Sequence, residues 1–478
     1  MVAAISPLLV NAAVLGGPAG AAGTAIATSC SGAVAVVAAP GAVGTKHGIL
    51  RPEVPSANAT CALSPMAAES ANGSIAMSKR YQGGSPPLTI GSGDTMGAPG
   101  APGAITLTPI FWAPPTTSFP SGYVEGIEAL DTNLAAQSGT PGTALSELTQ
   151  YTTASGAHLQ NTITAGTPIF DTTTTPESLG VTTCSPDTGQ IYNDNARYSL
   201  CITDFEVAAE VAAQVTSGHL PSDRAHLYAV FTPKGAEVCL GATNGTLGGT
   251  CTPNSQNSSS AFCAYHSGSS QNPSATLYAA MPYSVWDSPT RLGCNGSDQF
   301  PQRNAPVDVI ASSYVHEIAE AITDPVGTSW LDSQGNEIGD LCAYSYGPTS
   351  GSPGPLVSQV FGGAGYYIQQ LFSNASFAKN RANGCQSRWT KPTVSVTASG
   401  VLQVKKAVSF SAKVSAASGA IAARRWTSNG VVLGTSATLS QTFLQPGAHT
   451  VSLTVTDSGG YSTTASTMVT IAAAAKVK

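Results

Sequence analysis

The pattern of apolar and polar positions divides the chain into three stretches. Up to about residue 100 small residues predominate, with scattered Pro and Gly (Gly83-Gly84-Ser85-Pro86-Pro87) and no sustained period. Such a stretch predicts a leader and a low-complexity, pro-like region at 1–100 rather than a packed core. Beyond it the periods begin. Ala104 to Trp112 is an apolar, β-rich run closed by Ala113-Pro114-Pro115, and it predicts a strand. Tyr123, Ile127, Leu130 and Leu134 recur at helical spacing. A second helix is predicted over about 204–217, where Thr203 and Glu206 form a capping-box signature and Gly218 supplies a stop. Strands are predicted at His226–Thr232 and Ala275–Met281, on either side of a Gly-, Asn- and Ser-rich loop. A third helix runs from about Val307 to Thr323, ended by Asp324-Pro325. Strands and helices alternate with long cysteine-bearing loops, so residues 101–389 read as one α/β or α+β domain.

From residue 390 to 478 the period becomes two. Thr393–Thr397, Val408–Val414 and His449–Val455 alternate apolar and polar residues between regularly spaced turns, which predicts an all-β sandwich. Within it stand Trp426, Phe443 and the hairpin segment Pro446-Gly447-Ala448-His449 through Asp457-Ser458-Gly459-Gly460. These residues resemble the signature of a PKD domain over about 391–472. The resemblance implies an Ig-like accessory module of the kind carried by extracellular enzymes and surface proteins, acting as spacer or binding unit. The turn common after the PKD tryptophan, Gly-Asp-Gly, is Thr427-Ser428-Asn429-Gly430 here. A ligand role at that turn therefore does not carry over.

Composition narrows the function classes. Only 10% of the 478 residues are charged, against the usual ~25%. No basic run exists to neutralise phosphates, so nucleic acid is excluded as a partner. A net charge of −6 with 42% hydrophobic residues excludes an acidic disordered chain. No uncharged stretch is apolar enough over about 20 residues to predict a membrane span. Ten cysteines are present, eight of them from Cys184 to Cys385, and none forms a CxxC pair. An even set without metal spacing predicts up to four disulfides in an oxidising compartment, with Cys239–Cys251 and Cys263–Cys294 as the local pairings. The small-residue opening, with a cleavage-type site at Ala25-Ile26-Ala27, agrees with an export signal, although Met1-Val2-Ala3 lacks the basic n-region. Together these predict a secreted protein whose partners are extracellular protein, peptide or cell-wall glycan.

One window carries candidate chemistry. Between His316 and Asp340 lie six of the 26 acidic residues (Glu317, Glu320, Asp324, Asp332, Glu337, Asp340) and no Lys or Arg. His316-Glu317-Ile318-Ala319-Glu320 keeps the spacing of the zinc-peptidase HExxH helix with Glu in place of the second His. One helical turn puts positions i and i+4 on one face, and carboxylate oxygen is an acceptable zinc ligand. The set favoured for zinc is His316, Glu320 and either Glu337 or Asp340, with Asp324 as a further acid and Glu317 as general base. Ile310, Tyr314, Ile318 and Ile322 form the opposite, buried stripe. Oxygen donors at Asp332, Glu337 and Asp340 equally suit structural calcium, and a solvated acidic face has the same pattern. His266, in Cys263-Ala264-Tyr265-His266, reads either as a further ligand or as a structural histidine on a surface loop.

Over about 104–388 the order of elements also resembles the EXORDIUM, or phosphate-induced, family of secreted proteins. The resemblance rests on Cys263-Ala264-Tyr265-His266, Met281-Pro282-Tyr283, the helix His316 to Pro325, Glu337 to Cys342, and Gly362-Gly363-Ala364-Gly365-Tyr366. Members often lack an acid at the position of Glu320. It implies secretion and a shared fold linked to growth and the cell wall. Two function classes follow: a secreted metal-dependent hydrolase of zincin-like peptidase type, and a non-enzymatic cell-surface protein with a structural cation site.

Overall fold

The computed structural model describes residues 87–97, 103–173, 184, 198–243, 246–252, 262–269, 272–283, 305–350, 356–381 and 384–474. The expected leader region up to residue 86, and Cys294, lie outside them.

The central region is built on a mixed sheet of β1 (Ile105–Trp112), β2 (Ile163–Ala165), β3 (Ile169–Asp171), β4 (His226–Phe231), β5 (Tyr265–Ser269) and β6 (Asn272–Met281). The strand order is β2-β1-β4-β6-β5, and β3 also pairs with β1. β1, β2, β3, β4 and β6 run parallel, whereas the edge strand β5 runs antiparallel to β6. Alternation explains why these runs are apolar on both sides. Leu107, Phe111, Leu227, Ala229, Phe231, Leu277, Ala279 and Met281 enter one core with α1 (Tyr123–Ala136) and α3 (Ala305–Thr323). Ile110, Trp112, Tyr228, Val230, Tyr278 and Ala280 enter the other with Val207, Ala208 and Val211 of α2 (Asp204–Ser217). The result is a three-layer α/β unit. Each large apolar side chain fully buried in it stabilises by roughly 1.5–3 kcal/mol relative to exposure.

Local signals read from the sequence recur in the structure. Thr203 N donates to Glu206 Oε2 at 2.7 Å and Thr203 Oγ1 accepts from Glu206 N at 3.3 Å, closing the capping box of α2. Helix α3 ends where Pro325 can no longer donate, with Asp324 N still bonded to Glu320 O at 2.6 Å.

The structure corrects one expectation about α3. Its polar face is not solvated: His316, Glu317 and Glu320 are as buried as Ile310, Tyr314, Ile318 and Ile322. The segment from Asp324 to Cys342 folds back over that face, so both sides of the helix are covered.

Three disulfides close between described residues: Cys184–Cys201, Cys239–Cys251 and Cys342–Cys385. The first expected local pairing is thus present. Cys263 is also disulfide-bonded, and Cys294 falls outside the described residues.

The C-terminal sandwich has a three-stranded sheet (Thr393–Gly400, Ala407–Ser415, Leu439–Thr442) and a four-stranded one (Ile421–Ser428, Val431–Gly434, Gly447–Asp457, Ser462–Ile471). Trp426, Phe410, Val451, Leu453 and Val455 fill the space between. Asn429 and Gly430 both take positive φ (49° and 80°), as a two-residue hairpin turn requires. The sandwich is docked on the central unit through Trp389. Its backbone N donates to Ser146 Oγ at 2.8 Å and its Nε1 donates to Asp457 Oδ2 at 2.8 Å.

Candidate metal centre

Three segments converge beneath the sheet. Helix α3 brings His316, Glu317 and Glu320. Strand β5 brings His266, because its partner in the ladder, Ala279, faces the α3 side. The loop after α3 brings Glu337, Gly339 and Asp340. His316, Glu317, Glu320 and Glu337 are each 0% exposed.

His316 Nε2 lies 2.8 Å from Glu320 Oε1 and 3.6 Å from Asp340 Oδ1. Neither approach has the geometry of a hydrogen bond. Both His316 ring nitrogens, Glu320 Oε2 and Asp340 Oδ1 are buried without a hydrogen-bond partner among the described residues. Leaving a buried polar atom so costs about 1–3 kcal/mol. Ligand atoms about 2.1 Å from a tetrahedral zinc stand about 3.4 Å apart, a spacing bracketed by the two distances above. Donor chemistry and orphaned atoms suit a divalent cation: His316, Glu317 and Glu320 offer ligand atoms all within 4.8 Å of one another, as do His266, Glu320 and Glu337, and Asp340 Oδ1 stands 3.6 Å from His316 Nε2.

The backbone holds this set open. Asp340 N donates to Glu320 Oε1 at 2.8 Å, and Glu337 N donates to Asp340 Oδ2 at 3.2 Å. Gly339 passes directly against the ring of His316: a Cβ there would lie 2.7 Å from Nδ1 and 2.8 Å from Glu320 Oε1. Gln369 Nε2 donates to the Gly339 carbonyl at 2.9 Å and fixes that close approach.

Burial lowers the affinity of His316 for a proton, but Glu320, Glu317 and Asp340 outweigh it and raise its pKa to about 10. Burial pushes Glu337 and Asp340 well above the usual carboxylate range, and the charge of Glu320 adds to the push. Buried carboxylates this close need either protons or a cation between them.

Glu337 lies beside this set, its Oε1 3.7 Å from His266 Nε2. Glu317 is bound by His266, whose Nδ1 stands 3.0 Å from Glu317 Oε2. The other ring nitrogen, Nε2, is 3.0 Å from the Asp324 carbonyl oxygen. The surface-loop alternative for His266 is therefore corrected: it is a buried residue of an edge strand.

Asp324, expected as a further acid of the site, has its two carboxylate oxygens in different surroundings. Its Oδ1 accepts from Thr328 N at 2.7 Å and Ser329 N at 2.8 Å and so caps a turn, its carbonyl faces His266, and its Oδ2 is buried without a hydrogen-bond partner among the described residues. Asp332 likewise closes its own turn, accepting from the backbone N of Gln334 and Asn336 and from Asn336 Nδ2. Gly339 and Gln369 are functional neighbours that sequence reasoning did not single out. The only signal for Gly339 was its place beside Asp340, and Gln369, far along the chain from the named acids, carried none.

The C-terminal hairpin and Trp426 core match the PKD domain family over residues 389–471. The C-terminal sandwich is a PKD domain. The match does not extend to the central region. Among solved structures, the PKD domain is similar to the PKD1 domain of Vibrio anguillarum Epp, at 23% identity over 18% of this chain and 98% of that one, TM-score 0.16. It is also similar to the PKD1 domain from the Vibrio cholerae metalloprotease PrtV, at 24% identity over 18% and 98%, TM-score 0.15. Wild type OgpA from Akkermansia muciniphila aligns over 77% of this chain and 95% of its own, at 12% identity and TM-score 0.20, a level that carries no argument about the central unit. No curated protein matches the chain. No helix among the described residues is long and apolar enough to cross a membrane.

Proposed function

We propose that the protein is a secreted metal-dependent hydrolase, of zincin-like peptidase type, with the PKD domain as accessory module. The observation that carries this reading is the convergence of His316, Glu320 and Asp340 at 2.8 and 3.6 Å with orphaned, buried donor atoms. Disulfides and a PKD domain are typical of extracellular proteins and support the compartment. A bound zinc supplies Lewis-acid polarisation of a carbonyl and activation of water. His316 and Glu320 would hold it from one helical turn, and Asp340 from the returning loop. Glu317, one residue along α3, is the base that accepts the proton from the attacking water and returns it to the leaving amine. The substrate class is extracellular protein or peptide, with cell-wall glycan as the alternative target of the PKD module.

The reading is tested by peptide hydrolysis with purified protein. Glu317→Gln is expected to keep the metal and lose turnover by 100-fold or more, on the order of a general base's contribution. Equal turnover in both proteins would overturn the assignment of Glu317.

A second reading has its own support. Complete burial of His316, Glu317 and Glu320 suits a structural cation, zinc or calcium, in a non-enzymatic surface protein of EXORDIUM type. A metal-loaded protein whose fold collapses on chelation and which hydrolyses no peptide would favour it.

A further inference from the structure

His266 contacts the centre from a direction no ligand motif supplies. Strand β5 is the antiparallel edge of the sheet, and register with β6 sets His266 opposite Ala279. That register turns the imidazole toward α3, where it is 1% exposed. The partners of its two nitrogens then define its chemistry. A carbonyl oxygen can only accept, so the 3.0 Å contact with the Asp324 carbonyl requires a proton on Nε2. Nε2 is thereby closed to a metal. Nδ1 stands 3.0 Å from Glu317 Oε2, nearer than Glu320 Oε2 at 3.8 Å, and with Nε2 already protonated it donates to the Glu317 carboxylate as the second N–H of an imidazolium. The Asp324 carbonyl is itself fixed, because it sits at the end of α3 where the Asp324 carboxylate caps the following turn.

We propose that His266 is a positioning residue of this centre and not one of its ligands: anchored on the Asp324 carbonyl, its Nδ1 holds the Glu317 carboxylate in place beside His316 and Glu320. The proposal rests on the reading of Glu317 as the working carboxylate, but its structural content is separate. The contact ties Glu317 on α3 to strand β5. With it, a strand and a helix terminus jointly set where the carboxylate stands. Groups that orient a functional side chain in this way sustain activity without touching the reacting atoms.

The test uses the full chain carrying ¹⁵N-labelled histidine and ¹³Cδ-labelled glutamate, with and without zinc. His266→Gln, His266→Ala, His316→Ala and Glu317→Gln assign the signals. The expected results are a proton on His266 Nε2 before and after zinc, and a shift of the His316 ring signals on zinc alone. The Glu317 ¹³Cδ signal is expected to move in His266→Ala and to stay near its wild-type position in His266→Gln, whose amide can donate to Glu317. Zinc content per chain is expected to be the same in His266→Gln as in wild type. Loss of the Nε2 proton on zinc binding would overturn the proposal. So would a second zinc that vanishes in His266→Gln, since His266 would then be a ligand together with Glu320 and Glu337. An unmoved Glu317 signal in His266→Ala would overturn it as well. If wild-type protein takes up no zinc, the hydrolase reading fails, while the Nε2 proton and the Glu317 signal still decide the role of His266.

Discussion

Gly339 and the imidazole of His316 are in such close register that a methyl group on Gly339 would lie 2.7 Å from Nδ1. The backbone of Gly339 is not in a region reserved for glycine; only the space is. Gly339→Ala must push the ring, and with it Nε2, away from Glu320 and Asp340. Overpacking of this kind costs about 1–3 kcal/mol. The expected outcome is a lower melting temperature together with at least tenfold weaker zinc binding by competition with a chelator. A variant that melts lower but binds zinc as wild type would show that Gly339 matters for packing alone.

Glu147 predicts a pH dependence away from the centre. It is fully buried on the 3-10 helix Ala144–Gln150, where Oε2 accepts from Gln150 Nε2 at 2.9 Å and Oε1 has no partner among the described residues. Burial raises its pKa to about 8, against the opposing hydrogen bonds of Ser373 and Gln150. The folded state therefore holds a proton that the unfolded chain releases near its ordinary value of about 4.3. The contribution to stability is complete below that value and is lost as pH rises through about 8. Glu147→Gln should leave the melting temperature near wild type at pH 4 and raise it relative to wild type at pH 8. Calorimetric scans at the two pH values check this, and a difference independent of pH would contradict it.

Trp389 joins the central unit to the PKD domain more firmly than a linker would. Its ring is 1% exposed, and Cβ atoms placed on Gly419 or Gly459 would come within 2.6 and 2.7 Å of it. Lys379 Nζ adds two donations, to the carbonyls of Ala416 and Ala417 at 3.1 and 2.9 Å. Trp389→Ala is expected to cost about 3–5 kcal/mol and to split one unfolding transition into two, with the PKD domain melting separately. Calorimetry of the full chain reads this directly; a single transition in the variant would mean that other contacts suffice to couple the units.

The Cys342–Cys385 disulfide closes a loop of 43 residues behind Asp340. Chain-entropy reasoning gives such a loop about 4 kcal/mol. Cys342→Ser with Cys385→Ser should lower the melting temperature and loosen Asp340, so that zinc affinity falls with stability. Zinc affinity unchanged in the double variant would separate the disulfide from the site.

Much of this arrangement was legible in the sequence because it is local. The period of α3, the Thr203–Glu206 box and the alternation around Trp426 each specify an element without reference to the rest of the chain. His316, Glu317 and Glu320 follow from one helical turn, and Glu337 and Asp340 from an excess of acid without compensating Lys or Arg. What escaped is tertiary. The position of His266 depends on the register of an antiparallel edge strand, which the sequence around Cys263 does not state. Gly339 has an ordinary backbone, so only the nearness of His316 shows why no side chain fits. Asp324 and Asp332 looked like donors by type, but Asp324 Oδ1 and Asp332 Oδ1 accept from the backbone of their own turns.

Metal content of the purified full chain bears most directly on the centre. Wild-type protein and Glu317→Gln are expected to carry about one zinc per chain by elemental analysis, and His316→Ala and Glu320→Ala to carry almost none. Wild-type protein that stays metal-free after incubation with zinc or calcium, or His316→Ala that keeps the same metal, would contradict the account.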